Sequence, residues 1–316
     1  MSLKRTFHNL QSINSELDRL ISNLENALKN TRPRTNVRNT RIGKIRQDLE
    51  KISGLETPKI TKLLEVAIKL NQINFIFDNG IKFKNEDIIR LIEGKYDLSN
   101  DDSVTSHDYL FEFITGVRFA IAHEGSHEVS LSGGGDVRIG QDFAVECKNI
   151  RSLNSLVKNI DHGRRQIDER VANAEVTFGF IALDLSNIFP TEKAQRFIQQ
   201  TYEIFYSNHA KLKEAQRSDR DIIDTLIDDK NFQKIIHSYI MHEAEAALYS
   251  ALKLTYDMGV NTVAIIYQVN RCFLMEGDEQ NTLLPIRGMS YLLNNRLTEN
   301  AQNKVANYIH RLAVGF

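Results

Sequence analysis

Residues 133–148, GGGDVRIGQDFAVECK, constrain this chain more than any other stretch. Asp136-Val137-Arg138-Ile139 alternates polar and apolar, Gly140-Gln141-Asp142 supplies turn chemistry, and Phe143-Ala144-Val145-Glu146-Cys147-Lys148 follows as a second run. Two such runs about a short Gly-containing loop predict a β-hairpin. With a period of two, Val137 and Ile139 share one face, as do Phe143, Val145 and Cys147 on the second strand. Asp136, Glu146 and Lys148 are left on the other face. Two carboxylates and an amine are costly to bury unless something compensates them, and a divalent cation does so. The plainer alternative is a solvated face carrying an ordinary charge cluster.

An Asp heading one strand and Glu-x-Lys on the next resemble the PD-(D/E)XK nucleases, the restriction-endonuclease-like superfamily, with Gly135 where that motif has Pro. The resemblance implies an α/β (α+β) fold, a restriction-endonuclease-like mixed central sheet flanked by helices. Its element order of helix, three strands, helix and strand would span about 108–187. It also implies that Asp136 and Glu146 bind Mg²⁺ (or Mn²⁺), with the Cys147 carbonyl as a further candidate ligand. Lys148 would orient or activate the attacking water, completing a catalytic set with Asp136 and Glu146. Many members carry an acidic residue on the preceding helix; Glu112 matches that position, as a second-metal ligand or a contact to metal-bound water. Glu124 and Glu128 stand in reserve. Some members carry Gln on the following helix with Tyr four residues later; Gln166 matches, and Arg170 departs.

Glu-x-Lys alone is a weak signal, and Glu93-Gly94-Lys95 repeats it. That copy ends an amphipathic helical pattern, and Asp228-Asp229-Lys230 lies in a polar helical one, so only 136–148 has strand alternation that aims its charges together. No rival site competes. Ala246 stands where a zinc-protease helix built on His242-Glu243 needs a second His, and the chain has no Cys-x-x-Cys or Gly-x-Ser-x-Gly.

The N-terminal hundred residues read as helical. Leu3, Phe7, Leu10, Asn14, Leu17, Ile21, Leu24 and Leu28 form a heptad seam. A helix pair within the chain and a coiled coil between two chains use such a seam equally, and in the second case Asn14 would fix register. Between Lys29 and Arg46 every charge is positive. Arg32, Arg34, Arg38 and Arg41 make that loop a candidate nucleic-acid contact, and a solvated loop is its alternative. Residues 58–94 predict two more helices, and the polar stretch 97–107 a junction, dividing the chain into a helical region (1–100) and a nuclease-like domain (101–316).

Asp108 is the expected N-cap of a helix to about Ala122, and His127–Leu131 the expected first core strand. The helix predicted over 152–171 carries Arg151, Lys158 and Arg165 at intervals of seven, a cationic stripe expected beside the hairpin. Val176–Leu185 is apolar enough to be a central strand buried on both faces. Helices over 191–217 and 221–257 read as an insertion. Strands then follow at 261–268, 272–275 and 282–286, and a last helix at 297–313.

Composition narrows the function. Net charge is −1, so a polyanion must be met by local basic patches. Two cysteines and no long apolar run predict a reducing, cytoplasmic setting without membrane insertion. The chain is therefore expected to be an Mg-dependent endonuclease cutting double-stranded DNA in restriction or phage defence, as a homodimer and with another defence subunit as a further partner. A catalytically silent nuclease-like nucleic-acid-binding or assembly subunit is the alternative, and a helical interaction protein with an incidental hairpin a third.

Overall fold

Among the described residues, six strands form one mixed sheet, in chain order: β1 (Val129–Ser130), β2 (Val137–Ile139), β3 (Phe143–Asn149), β4 (Phe178–Asp184), β5 (Thr262–Met275) and β6 (Thr282–Leu293). The computed structural model describes residues 10–30, 32, 34–93, 106–122, 129–131, 136–216, 225–226, 229–252, 256–277 and 282–313. β1, β2 and β3 pair antiparallel, β3, β4 and β5 parallel, and β6 returns antiparallel along β5. Parallel neighbours need long crossovers. The helix α7 (Leu153–Ala172) makes the first, and α8 (Thr191–Gln216) and α9 (Lys230–Ala251) lie within the second, over the stretch expected to be a helical insertion. With α6 (Ser106–Ala122) ahead of β1, the expected order of helix, three strands, helix and strand is present, in an α/β protein.

β4 accounts for the layering. Phe180 and Ala182 point into one core, and Ile181 and Leu183 into another. A strand buried on both faces has no reason to alternate, hence its apolar run. The first core gathers α1 (Leu10–Leu28), α2 (Arg41–Glu50), α3 (Thr57–Asn71), α4 (Asn74–Asp78), α5 (Asn85–Ile92), α6 and α10 (Glu299–Ala313). The second is built from α7, α8 and α9. Among the described residues, no helix is long and apolar enough to cross a membrane.

Leu17, Ile21, Leu24 and Leu28 of the heptad seam are buried, and α1 packs on α2 and α3 of its own chain. Asn71 Nδ2 donates to the Ile13 carbonyl at 2.9 Å and Asn74 Nδ2 to the Glu16 carbonyl at 2.9 Å, pinning the pairing. From Leu17 to Leu28 the seam is thus filled within the chain, as the helix-pair alternative expected, whereas Leu10 is exposed. Leu3 and Phe7 lie outside the described residues.

Three local expectations also change. Residues 58–94 hold α3, α4 and α5, three helices in place of two. The separate strands expected at 261–268 and 272–275 are one strand, β5, because its polar interruption is satisfied in place. Asn270 N–H donates to Ser186 Oγ at 2.9 Å, and the Arg271 guanidinium donates twice to the Ser186 carbonyl, at 3.0 and 2.7 Å. Asp108 is no N-cap: it sits in the first turn of α6, where its carboxylate accepts from Arg151 at 2.8 Å.

Candidate active site

The hairpin adopts the register its alternation dictates, with Val137 opposite Val145 and Ile139 opposite Phe143. Gly140 turns the chain at φ +55°, where a side chain is strained, and Asp142 N–H closes the loop on the Ile139 carbonyl at 3.2 Å. Gly140→Ala is accordingly expected to destabilise the fold by about 1–2 kcal/mol in urea unfolding. No measurable loss would mean that the turn relaxes freely.

β2 begins at Val137, one residue after Asp136, and the Cys147 N–H lies past the last pair of its register with β3. Asp136 Oδ2 accepts it at 2.6 Å, which fixes the carboxylate over β3. Lys148 Nζ then lies 3.5 Å from Asp136 Oδ2 and 3.3 Å from Glu146 Oε2. The structure therefore brings Asp136, Glu146 and Lys148 together around one ammonium. The Cys147 thiol is pushed far up by burial, with Asp136 and Glu112 adding to the effect, and remains a neutral packing group.

The face that carries Glu146 is not open to solvent. Its exposure is 0%, because α7 crosses β3 at Gly163, where an added Cβ would lie 3.5 Å from the Glu146 Cβ. A fully buried carboxylate requires compensation. Lys148 supplies part of it, and Arg170 on α7 forms an ion pair with Glu146 Oε1. Gln166, one turn earlier, has a buried Oε1 with no hydrogen-bond partner among the described residues.

Glu112 reaches the same neighbourhood from α6. Burial and then the Asp136 and Asp87 carboxylates push its pKa up to about 9, against the pull of Lys148. Asp87, on α5, is likewise raised, by burial first and in smaller part by Glu86 and Asp136. Glu112 thus keeps its proton at neutral pH. The hard oxygen donors of Asp136, Glu146 and Glu112 fit Mg²⁺ or Mn²⁺ by donor chemistry. Among the described residues no group of three or more His, Cys, Asp and Glu is drawn together as a metal site, and Asp136 and Glu146 are closed on Lys148 instead.

The basic candidates disperse. Arg34 and Arg38 are exposed, and so is Lys44 on α2. Arg32 is shared with Glu93, 3.4 Å away. Arg41 is only 2% exposed and lies 3.2 Å from His107 Nε2, so it is a buried link to α6 and not part of a phosphate-facing loop. Arg151 is exposed but paired with Asp108. Lys158 and Arg165 are exposed, whereas Leu156, Ile160, Gly163 and Ile167 are the buried residues of α7. That stripe faces solvent and not the hairpin, and the cation that does face it is Arg170. Glu124, Glu128, His127 and the three glycines 133–135 lie outside the described residues.

Asp87 and Arg170 join the site without having been singled out for it. Asp87 reads in sequence as an ordinary acid in the first turn of a helix. Arg170 had a signal, its position four residues after Gln166, but not its partner. Comparison with family models, curated proteins and solved structures finds no match to this chain.

Proposed function

We propose that this chain is a metal-dependent nuclease of restriction-endonuclease-like fold that hydrolyses phosphodiester bonds, a DNA endonuclease of restriction or phage defence working in the cytoplasm. The observation that carries the reading is the convergence of Asp136 Oδ2 and Glu146 Oε2 on Lys148 Nζ. Asp136 and Glu146 would hold Mg²⁺ or Mn²⁺, with Glu112 and the Cys147 carbonyl beside them. Such an ion, when bound, stabilises charge on the phosphate and leaving oxygen and lowers the pKa of a bound water.

The chain's own contributions follow from placement. Asp136 is held by the β3 backbone, so its carboxylate needs no reorganisation. Lys148 reaches both carboxylates from a flexible stem, and its ammonium is suited to hold a water by one of its N–H donors. A double-strand break needs two protomers or a reorientation between cuts, and we include a homodimer in the proposal, formed without the filled α1 seam.

The second reading, a silent nucleic-acid-binding or assembly subunit, draws on Glu146 being buried and already paired. Labelled single- and double-stranded DNA and RNA, each incubated with the chain in Mg²⁺, separate the two. Hydrolysis of DNA duplex is the expected result, and binding of nucleic acid without hydrolysis favours the second.

Substrate contact has its own test. Replacing Arg34, Arg38 and Lys44 together by Ala should reduce the slope of log affinity against log salt by about 2–3, since each phosphate contact releases counterions. Single-turnover cleavage at saturating substrate should barely change. An unaltered slope would mean that this loop takes no part in binding.

A further inference from the structure

We infer that Arg170 is a positioning residue for Glu146: it takes Oε1 and so leaves Oε2 aimed at the point that Asp136 Oδ2 shares. The inference rests on reading Asp136, Glu146 and Lys148 as the metal-binding site of a nuclease. A buried carboxylate needs counter-charge, and here two cations divide its oxygens, Arg170 in an ion pair with Oε1 and Lys148 with Oε2.

The two cations are held differently. Gly163, Ile167 and Arg170 recur at helical spacing along one side of α7. Gly163 brings the helix against β3, and Ile167 is buried against Gly179 of β4, where an added Cβ would lie 2.8 Å from its Cγ1. These two contacts set the height and register of α7 over the sheet, and Arg170 is delivered to Glu146 as a consequence. Its guanidinium is a planar fork with a fixed set of donors, while Lys148 carries a compact charge on a mobile stem. Arg138 is turned elsewhere, its Nε and Nη2 donating to the Gly140 and Glu175 carbonyls at 3.1 and 3.0 Å. Were Asp136 and Glu146 to hold a divalent cation, Lys148 on its mobile stem would be the group to yield and Arg170 the group to stay. Partners that orient a ligand in this way change metal affinity by about 10–100-fold.

The test is Mn²⁺ affinity of the full chain by isothermal titration calorimetry, without nucleic acid, for the wild type, Arg170→Ala, Arg170→Lys and Glu146→Ala. Circular dichroism melts establish that each is folded. Arg170→Ala is expected to weaken Mn²⁺ binding by about 10–100-fold. Arg170→Lys should fall between it and the wild type, keeping the charge without the fork, and it carries the test alone if the alanine variant does not fold. Tighter binding by either variant would show that Arg170 competes with the metal, and unchanged binding that it does neither; both overturn the inference while leaving the site intact. Loss of binding in Glu146→Ala upholds the underlying site, and a wild type that binds no Mn²⁺ overturns that reading and this one with it.

Discussion

Lys148→Ala is expected to lower the single-turnover cleavage rate by about 10²–10³-fold, the size of effect seen when one preorganised charge-stabilising donor is removed. Among the described residues Lys148 is the cation that ion-pairs with both carboxylates, at 3.3 and 3.5 Å. The fold should survive, since Glu146 keeps Arg170 as its counter-charge. Asp136→Ala should match this loss in rate. Glu146→Ala should match it too, but at a further expense in stability, because it strands Arg170 half-buried without its carboxylate. Glu146, fully buried, does not belong to the solvated face that was the plainer alternative from sequence. A Lys148→Ala protein cutting at the wild-type rate would sink the mechanism.

The second large effect lies in the link between the N-terminal helices and the sheet. Glu65 on α3 is 5% exposed and meets Lys69 at 2.8 Å, Arg271 at 3.4 Å and the Cys272 N–H at 3.2 Å. Burial alone would raise its pKa. Lys69 and Arg271, with hydrogen bonds from Lys69 and the Cys272 N–H, outweigh that and hold it below the usual value. Glu65→Ala leaves Arg271 buried without its carboxylate and should cost about 3–5 kcal/mol in urea unfolding. The sign with pH follows from a depressed folded pKa. The contribution is fully present above the unfolded Glu pKa of about 4.3 and is lost as pH falls through the lower folded value. The gap between variant and wild type should therefore be constant from pH 7 to 5 and close below that. A gap that persists unchanged at the acid end would assign the loss to packing and not to charge.

How much of this was legible in sequence depends on whether the cause was local. The hairpin was, because turn residues and period-two alternation act within a few positions. β4 was, because burial on both faces writes a continuous apolar run. The α1 seam was legible as a helix but not in its partner, since a heptad reads the same whether the hole it fills belongs to this chain or another. β5 was cut short at Gln268 because Asn270 and Arg271 look like a break. Their satisfaction comes from Ser186 and Glu65, which are remote in sequence. The same distance hid Asp87, and it hid the partner of Arg170. Lys158 and Arg165 share a stripe as their spacing requires, but spacing does not say which side of α7 meets the sheet. Gly163 and Ile167 do.

The most direct measurement of the central claim is incubation of supercoiled plasmid DNA with the purified wild-type chain in Mg²⁺, in Mn²⁺ and in EDTA, beside Asp136→Ala. The account predicts nicked or linear product with either metal, none in EDTA, and none from the variant. Intact plasmid in all wild-type reactions, or cleavage that persists in EDTA or in Asp136→Ala, would contradict it.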